Sequence, residues 1–219
     1  MQNASLTTRP GGFFITGTDT EIGKSFVASC IAQGLVQQGI RVAPRKPVAS
    51  GCIMQADGSL LSEDAMQLKQ ASQSDEPLAQ ICRYQFEPAI SPARAIQQSQ
   101  RMISIQDLVH ACEVNAGDFA LVEGAGGFYS PLASDGLNAD LAQQLNYPII
   151  LVVGNRLGCL NHALLTIEAI EHRGLQLHRI VLNDLSKEAD PDNLNDLKQL
   201  TDYPVVHQAF QAEISPLNL

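Results

Sequence analysis

One stretch near the start limits how this chain folds more than any other. Gly17-Thr18-Asp19-Thr20-Glu21-Ile22-Gly23-Lys24-Ser25 follows the apolar run Phe13-Phe14-Ile15 and precedes the helix-like stretch Phe26-Val27-Ala28-Ser29-Cys30-Ile31-Ala32. Strand, glycine-bearing turn and helix start is the order of a phosphate-binding loop. Such a turn points successive backbone N–H groups into one concavity. Lys24 adds a point charge there, and the Ser25 hydroxyl is placed to ligate magnesium. The ligand expected from these residues is a nucleoside triphosphate. Thr18 stands where the common pattern has its first glycine, and Gly17 lies one residue further upstream. The loop also lacks the extra lysine that opens the loops of cell-division and plasmid-partition ATPases. On its own, Gly-Lys-Ser is equally a glycine turn feeding an ordinary helix, so the pieces downstream have to decide.

Short, almost continuous apolar runs recur at Phe13–Thr16, Phe119–Val122, Ile149–Val153 and Ile180–Leu182. Such runs suit strands buried on both faces, and amphipathic stretches between them, such as Asn161–His172, read as crossover helices. The fold class expected is α/β, a mainly parallel sheet with helices on both faces. Weaker strands are expected at Arg41–Ala43 and Val205–His207. Between Ser50 and Ala116 the pattern turns mostly helical and polar, with Ser62-Glu63-Asp64 as a helix start. In an open parallel sheet the ligand site lies beyond the carboxyl ends of the strands, so the residues just after each run are the candidates.

A length of 219 residues suits one large domain, here residues 11–219, after a polar tail at residues 1–10 that lacks the apolar core of a secretion signal. No apolar run is long enough to span a bilayer. The expectation is a cytoplasmic protein with no membrane partner. A formal net charge of −9 and no run of lysine and arginine argue against nucleic acid as a partner. An anionic nucleotide must then be held by local positive charge and a metal ion. The five cysteines are odd in number and share no Cys-x-x-Cys spacing, which fits reduced, buried thiols.

Four further segments fall at strand ends. In Arg45-Lys46-Pro47-Val48-Ala49-Ser50-Gly51, Lys46 reads either as a phosphate-facing lysine or as a surface lysine on a turn. Phe119–Val122 ends in Glu123-Gly124-Ala125-Gly126-Gly127; a carboxylate there supplies the hard oxygen that magnesium requires, and the glycines let backbone approach a ligand. An acidic strand cap with a flexible turn is the plainer alternative. In Val153–His162 the free N–H groups of a helix start suit a second anion such as a carboxylate, or make a plain helix cap with Asn161 near the cap position. Val181-Leu182-Asn183-Asp184 puts a side-chain amide where a nucleotide base would lie, or forms an Asx turn.

Taken together, these motifs resemble the dethiobiotin synthetase family. Gly-Thr-Asp-Thr-Glu-Ile-Gly-Lys-Ser, Lys-Pro-Val-Ala-Ser-Gly, Val-Glu-Gly-Ala-Gly-Gly and Leu-Gly-Cys-Leu-Asn-His occur in the family's order, covering Phe13 to about Asp184. The resemblance implies a single-domain P-loop NTPase-like fold and a homodimer with substrate at the subunit interface. It also implies a reaction: ATP- and magnesium-dependent closure of a ureido ring from 7,8-diaminononanoate and carbon dioxide (or bicarbonate) in biotin biosynthesis. A carbamate of the diamine attacks the γ-phosphorus, and the resulting carbamic-phosphoric anhydride closes to dethiobiotin, releasing ADP and phosphate.

By matching position, the resemblance makes Lys24, Lys46 and Thr20 the catalytic residues. The ATP-binding set is Glu21, Ile22, Gly23, Lys24, Ser25, Phe26, Asp64, Glu123, Gly124, Ala125, Gly126, Asn183 and Asp184. Ser25, Asp64 and Glu123 match the magnesium site, directly or through water. Ser50 matches a diamine contact, and Gly158, Cys159, Leu160 and Asn161 match the turn that receives the substrate carboxylate. An exposed helix N-terminus contributes only about 0.3–1 kcal/mol to holding an anion. Charge neutralisation must therefore come mainly from the lysines and magnesium. The chain departs from the family after its last strand, where Val206-His207-Gln208-Ala209-Phe210 replaces the usual Gly-x-Ile-Pro-like segment. Two other readings share the loop style. A P-loop amidoligase of the cobyrinic-acid type normally carries a glutamine-hydrolysing domain for which this chain has no room. A partition-type ATPase normally carries the loop-start lysine absent here.

Overall fold

A computed structural model describes residues 11–211, 213–217 and 219, so the expected tail at residues 1–10 lies outside the described residues. Strand β1 (Gly12–Gly17) runs into the phosphate loop and helix α1 (Lys24–Gln37), and β2 (Val42–Arg45) follows. Next come β3 (Val48–Ala49), the hairpin strands β4 (Ile53–Met54) and β5 (Leu60–Leu61), and helices α2 (Glu63–Ala71) and α3 (Leu78–Ile81). After β6 (Tyr84–Gln85), helices α4 (Pro92–Gln98) and α5 (Ile105–Ala111) lead to β7 (Phe119–Glu123). The chain ends in a regular alternation: α6 (Asn138–Leu145), β8 (Ile149–Asn155), α7 (Cys159–His172), β9 (Leu177–Asp184), α8 (Asp192–Leu200) and β10 (Val205–Gln208).

Six strands form one parallel sheet in the order β10-β9-β8-β1-β7-β2. Side chains on a strand alternate between faces, so each strand feeds two cores. Phe13 and Ile15 of β1 pack with Leu121, Ile150 and Val152 beneath α1 and α2. Phe14 points the other way and joins Val122, Leu151, Val153 and Leu182 against Leu108 of α5, Leu141 of α6, Ile170 of α7 and Leu197 of α8. Each of these fully buried aliphatic or aromatic side chains contributes on the order of 1.5–3 kcal/mol relative to exposure. Burial on both faces is why the strands read as unbroken apolar runs.

All four of those runs are strands. The weaker pair is present too, at Val42–Arg45 and Val205–Gln208. Between Ser50 and Ala116 lie four helices, with two short two-residue ladders that the polar pattern does not announce: β4 with β5 inside this stretch, and β6 with β3 just before it. Ser62 is the cap of α2 as expected, its hydroxyl accepting the Ala65 N–H at 3.3 Å. Among the described residues no helix is long and apolar enough to cross a membrane.

Candidate active site

Because the sheet is parallel, the ends of β1, β2 and β7 open on one edge, and a cleft of about 730 Å³ lies there. Its lining joins the phosphate loop (Thr20, Glu21, Gly23, Lys24, Ser25, Phe26) to Lys46, Ser50, Asp64, Glu123, Ala125 and Gly126. Residues separated by more than a hundred positions in the chain are thus brought to one cavity. Glu21 and Gly23 both adopt the left-handed backbone region, with φ of 58° and 81°. At Gly23 a Cβ atom would also lie 2.3 Å from the Asn183 side-chain nitrogen, so only glycine fits.

Four side chains meet at the centre. The Lys46 ammonium donates to Glu123 Oε1 at 2.6 Å and pairs with Asp64 at 2.8 Å. Ser25 Oγ donates to the same Glu123 oxygen at 2.7 Å. Lys24 Nζ donates to the Asp19 carbonyl at 2.6 Å. Lys46 is buried, not the surface residue of the alternative reading, and Lys24 and Glu123 are buried as well. Burial lowers the pKa of Lys24 to about 8, and the attraction of Glu123 offsets only part of that. Burial works against the charged form of Lys46 too, but the Glu123 and Asp64 carboxylates outweigh it and hold its pKa above the ordinary lysine value. Asp64 shows the reverse balance: burial raises its pKa, the Lys46 charge and hydrogen bond lower it, and the net result is below the ordinary carboxylate value.

Glu123 Oε2 is buried and has no hydrogen-bond partner. An unpaired buried carboxylate oxygen costs free energy unless something meets it. Together with Ser25 Oγ and Asp64 it forms a set of hard oxygen donors of the kind magnesium takes. Among the described residues no group of three or more His, Cys, Asp and Glu side chains forms a metal site by itself. An ion at Ser25, Asp64 and Glu123 would therefore complete its shell with water and phosphate oxygens, as magnesium does in nucleotide sites.

Asn183 is buried beside the loop, its Nδ2 donating to the Ile22 carbonyl at 3.0 Å while Oδ1 is without a partner. Asp184 turns away: its oxygens meet Asn155 Nδ2 and His207 Nε2, each at 2.8 Å. Gly124 sits against Asn138, at a distance that leaves no room for a side chain. Gly158 to Asn161 are not part of the cleft lining. Gly158, with φ of 88°, caps α7, so Asn161 lies inside the first helical turn and not at the cap. Side-chain periodicity does not distinguish a glycine cap from an asparagine cap.

Three residues in or next to the cleft lie outside the expected site set. Gln67, from α2, lines the cleft and reaches the Ser25 carbonyl at 3.4 Å. Arg45, next to Lys46, is fully buried. Asp19 is bonded to Arg156 at 2.5 Å, and its carboxyl lies below the ordinary value, first because the Thr20 N–H donates to it and then because of Arg156.

A family model described as an AAA domain matches residues 11–209. The ATP-dependent dethiobiotin synthetase of Ruthia magnifica subsp. Calyptogena magnifica is 38% identical over 194 residues, covering 89% of each chain. That of Aeromonas salmonicida (strain A449) is 39% identical over 213 residues, covering 92% of this chain and 94% of the relative. A third, from Cellvibrio japonicus (strain Ueda107), is 43% identical over 178 residues, covering 80% and 78%. Among solved structures, a ParA family ATPase from Chlorobium tepidum TLS superposes with a TM-score of 0.54 at 15% identity, covering 91% of this chain and 84% of that one. That likeness concerns the fold alone.

Proposed function

The chain belongs to the ATP-dependent dethiobiotin synthetase family, ligases of biotin biosynthesis, and from that premise we propose how its cleft closes the ureido ring. The observation that carries the reading is the cluster of Lys46, Ser25 and Asp64 around Glu123, at the mouth of a phosphate loop, with one carboxylate oxygen left unpaired. The substrates are 7,8-diaminononanoate, carbon dioxide or bicarbonate, and ATP.

The backbone N–H groups of Glu21 to Phe26 cradle the β- and γ-phosphates, and Lys24 swings from the Asp19 carbonyl toward them. Lys46, fixed as a cation by its two carboxylates, holds the carbamate anion and the γ-phosphoryl group together. This bimolecular encounter of two anions thereby becomes a positioned one. The Thr20 hydroxyl donates to the same oxygens. The carbamate oxygen forms a bond to the γ-phosphorus as ADP departs. The neighbouring amine then attacks the carbamoyl carbon, phosphate leaves, and the ureido ring closes with loss of a proton. Magnesium, held by Ser25, Asp64 and Glu123, would supply charge neutralisation on the phosphates. Such an ion would meet Glu123 Oε2, the buried oxygen without a hydrogen-bond partner. Asn183 receives the adenine through the unpartnered Oδ1, with Asp184 fixing that strand end through His207.

Ser50 contacts the diamine, and the turn from Gly158 to Asn161 receives the substrate carboxylate of a second subunit. Exposed leucines before and along α7, the fully exposed Leu157 and then Leu164 and Leu165, support a homodimer formed through this part of the chain. Free, buried cysteines at all five positions agree with a reducing, cytoplasmic location. The test is incubation of the pure protein with the diamine, bicarbonate, ATP and magnesium. Dethiobiotin and phosphate are expected in equal amounts; ATP turnover that does not depend on the diamine would overturn the reading.

A further inference from the structure

Arg156 follows directly after β8, at the head of the turn that leads into α7. Its carbonyl accepts the Cys159 N–H at 3.0 Å, which ties its backbone to the Gly158 turn. Its guanidinium reaches across the sheet edge to Asp19, 137 positions earlier in the chain, and pairs with Oδ2 at 2.5 Å. Asp19 is a junction. Its other carboxylate oxygen accepts the Thr20 N–H at 2.8 Å, and its carbonyl oxygen accepts Lys24 Nζ at 2.6 Å. One residue therefore fixes the arm of the loop that carries Thr20 and the direction in which Lys24 points, and Arg156 is what holds that residue.

We propose that Arg156 is a positioning residue that sets the Asp19 arm of the phosphate loop and so couples the carboxylate-receiving turn to the nucleotide. This rests on the reading of Gly158 to Asn161 as the substrate turn. The side chains of Arg156 and Asp19 are each about half exposed, and an exposed ion pair adds little to stability. Its value lies in geometry: Lys24 and Thr20 act on the same phosphoryl group, and small displacements of such groups are costly in rate. Movement of the turn when a carboxylate binds is transmitted through the guanidinium to the loop. By linkage the nucleotide must act back on the diamine by the same factor.

The experiment compares wild type with Arg156→Ala, Arg156→Lys, Asp19→Ala and the Arg156→Ala/Asp19→Ala double variant. It measures kcat, KM for both substrates, melting temperature, and the Kd of Mg-ATP by calorimetry with and without diamine. Arg156→Ala is expected to lower kcat about tenfold at unchanged melting temperature, through misplacement of reacting groups. Arg156→Lys restores most of the loss, and the double variant is no slower than Asp19→Ala. Saturating diamine is expected to tighten Mg-ATP about fivefold in wild type, the lower end of ordinary coupling, and to have no effect in Arg156→Ala. Multiplicative losses in the double variant, or a fall in kcat that follows melting temperature and is not rescued by lysine, would overturn the proposal. Should wild type form no dethiobiotin, the functional reading fails separately. Calorimetry without diamine then still decides: a weakened, non-additive Mg-ATP Kd upholds the loop contact, and an unchanged one removes it.

Discussion

Arg45 and Lys46 are neighbours in sequence and both are buried, yet their surroundings differ in kind. Every donor of Arg45 is used: Nε and Nη2 reach the Glu113 carbonyl, Nη1 reaches the Pro44 carbonyl, and Glu76 takes both Nη atoms in a fork. Lys46 faces the other way, into the cleft, where its partner Glu123 retains an oxygen with nothing to bond. A closed network holds the end of β2 in place. An open one, poised at a cavity, waits for a ligand to complete it. The completeness of hydrogen bonding, more than burial or charge, separates the structural cation from the functional one.

The contrast is broken most severely by Lys46→Ala. Turnover is expected to fall about a thousandfold, some 4 kcal/mol of transition-state stabilisation. Stability should fall less than in the Arg45 variant below, since the vacated space opens on the water of the cleft; kcat at saturating substrates and urea unfolding check both halves. Arg45→Ala should do the opposite, costing about 3–5 kcal/mol of unfolding free energy because Glu76 is stranded beside a buried void, while kcat of the folded fraction changes little. Equal losses of activity in the two variants would erase the distinction.

A smaller effect is expected from pH. With its pKa lowered to about 8, Lys24 in the free protein loses its proton above that value, while the unfolded chain keeps its own until about 10.5. Mg-ATP affinity should weaken as pH rises past about 8, with proton uptake on binding, and Lys24→Arg should flatten the trend. The unfolded chain binds more protons in this window, so the contribution of Lys24 to stability rises with pH there, which thermal melts would detect. Smallest is the acid limb. Asp64 has a folded pKa below its ordinary 3.8, so its contribution is present above that value and fades as pH falls through the folded one. Lys46→Ala should remove this part of the acid dependence.

How much of this was legible from sequence follows the same physics. The central strands β1, β7, β8 and β9 were readable because burial on both faces leaves an unmistakable apolar run. The ladders β3–β6 and β4–β5 were not, since two residues carry no period. Lys24, Ser25 and Glu123 could be picked out because each stands at a strand or loop end with a characteristic neighbour. Arg45 could not, because a charged residue ending a strand ordinarily faces water and its partners Glu76 and Glu113 lie far off in the chain. The Asp19–Arg156 pair was invisible for the same reason, both residues being polar members of turns.

The open state of Glu123 can be probed directly by titrating manganese, as a stand-in for magnesium, and following the free ion by electron paramagnetic resonance with and without ADP. Wild type should bind one ion per chain only when the nucleotide is present, and Glu123→Gln should lose that binding while still taking up ADP. Identical manganese titrations for wild type and Glu123→Gln would show that the unpaired oxygen is not a metal ligand and that the cluster around Lys46 is structural after all.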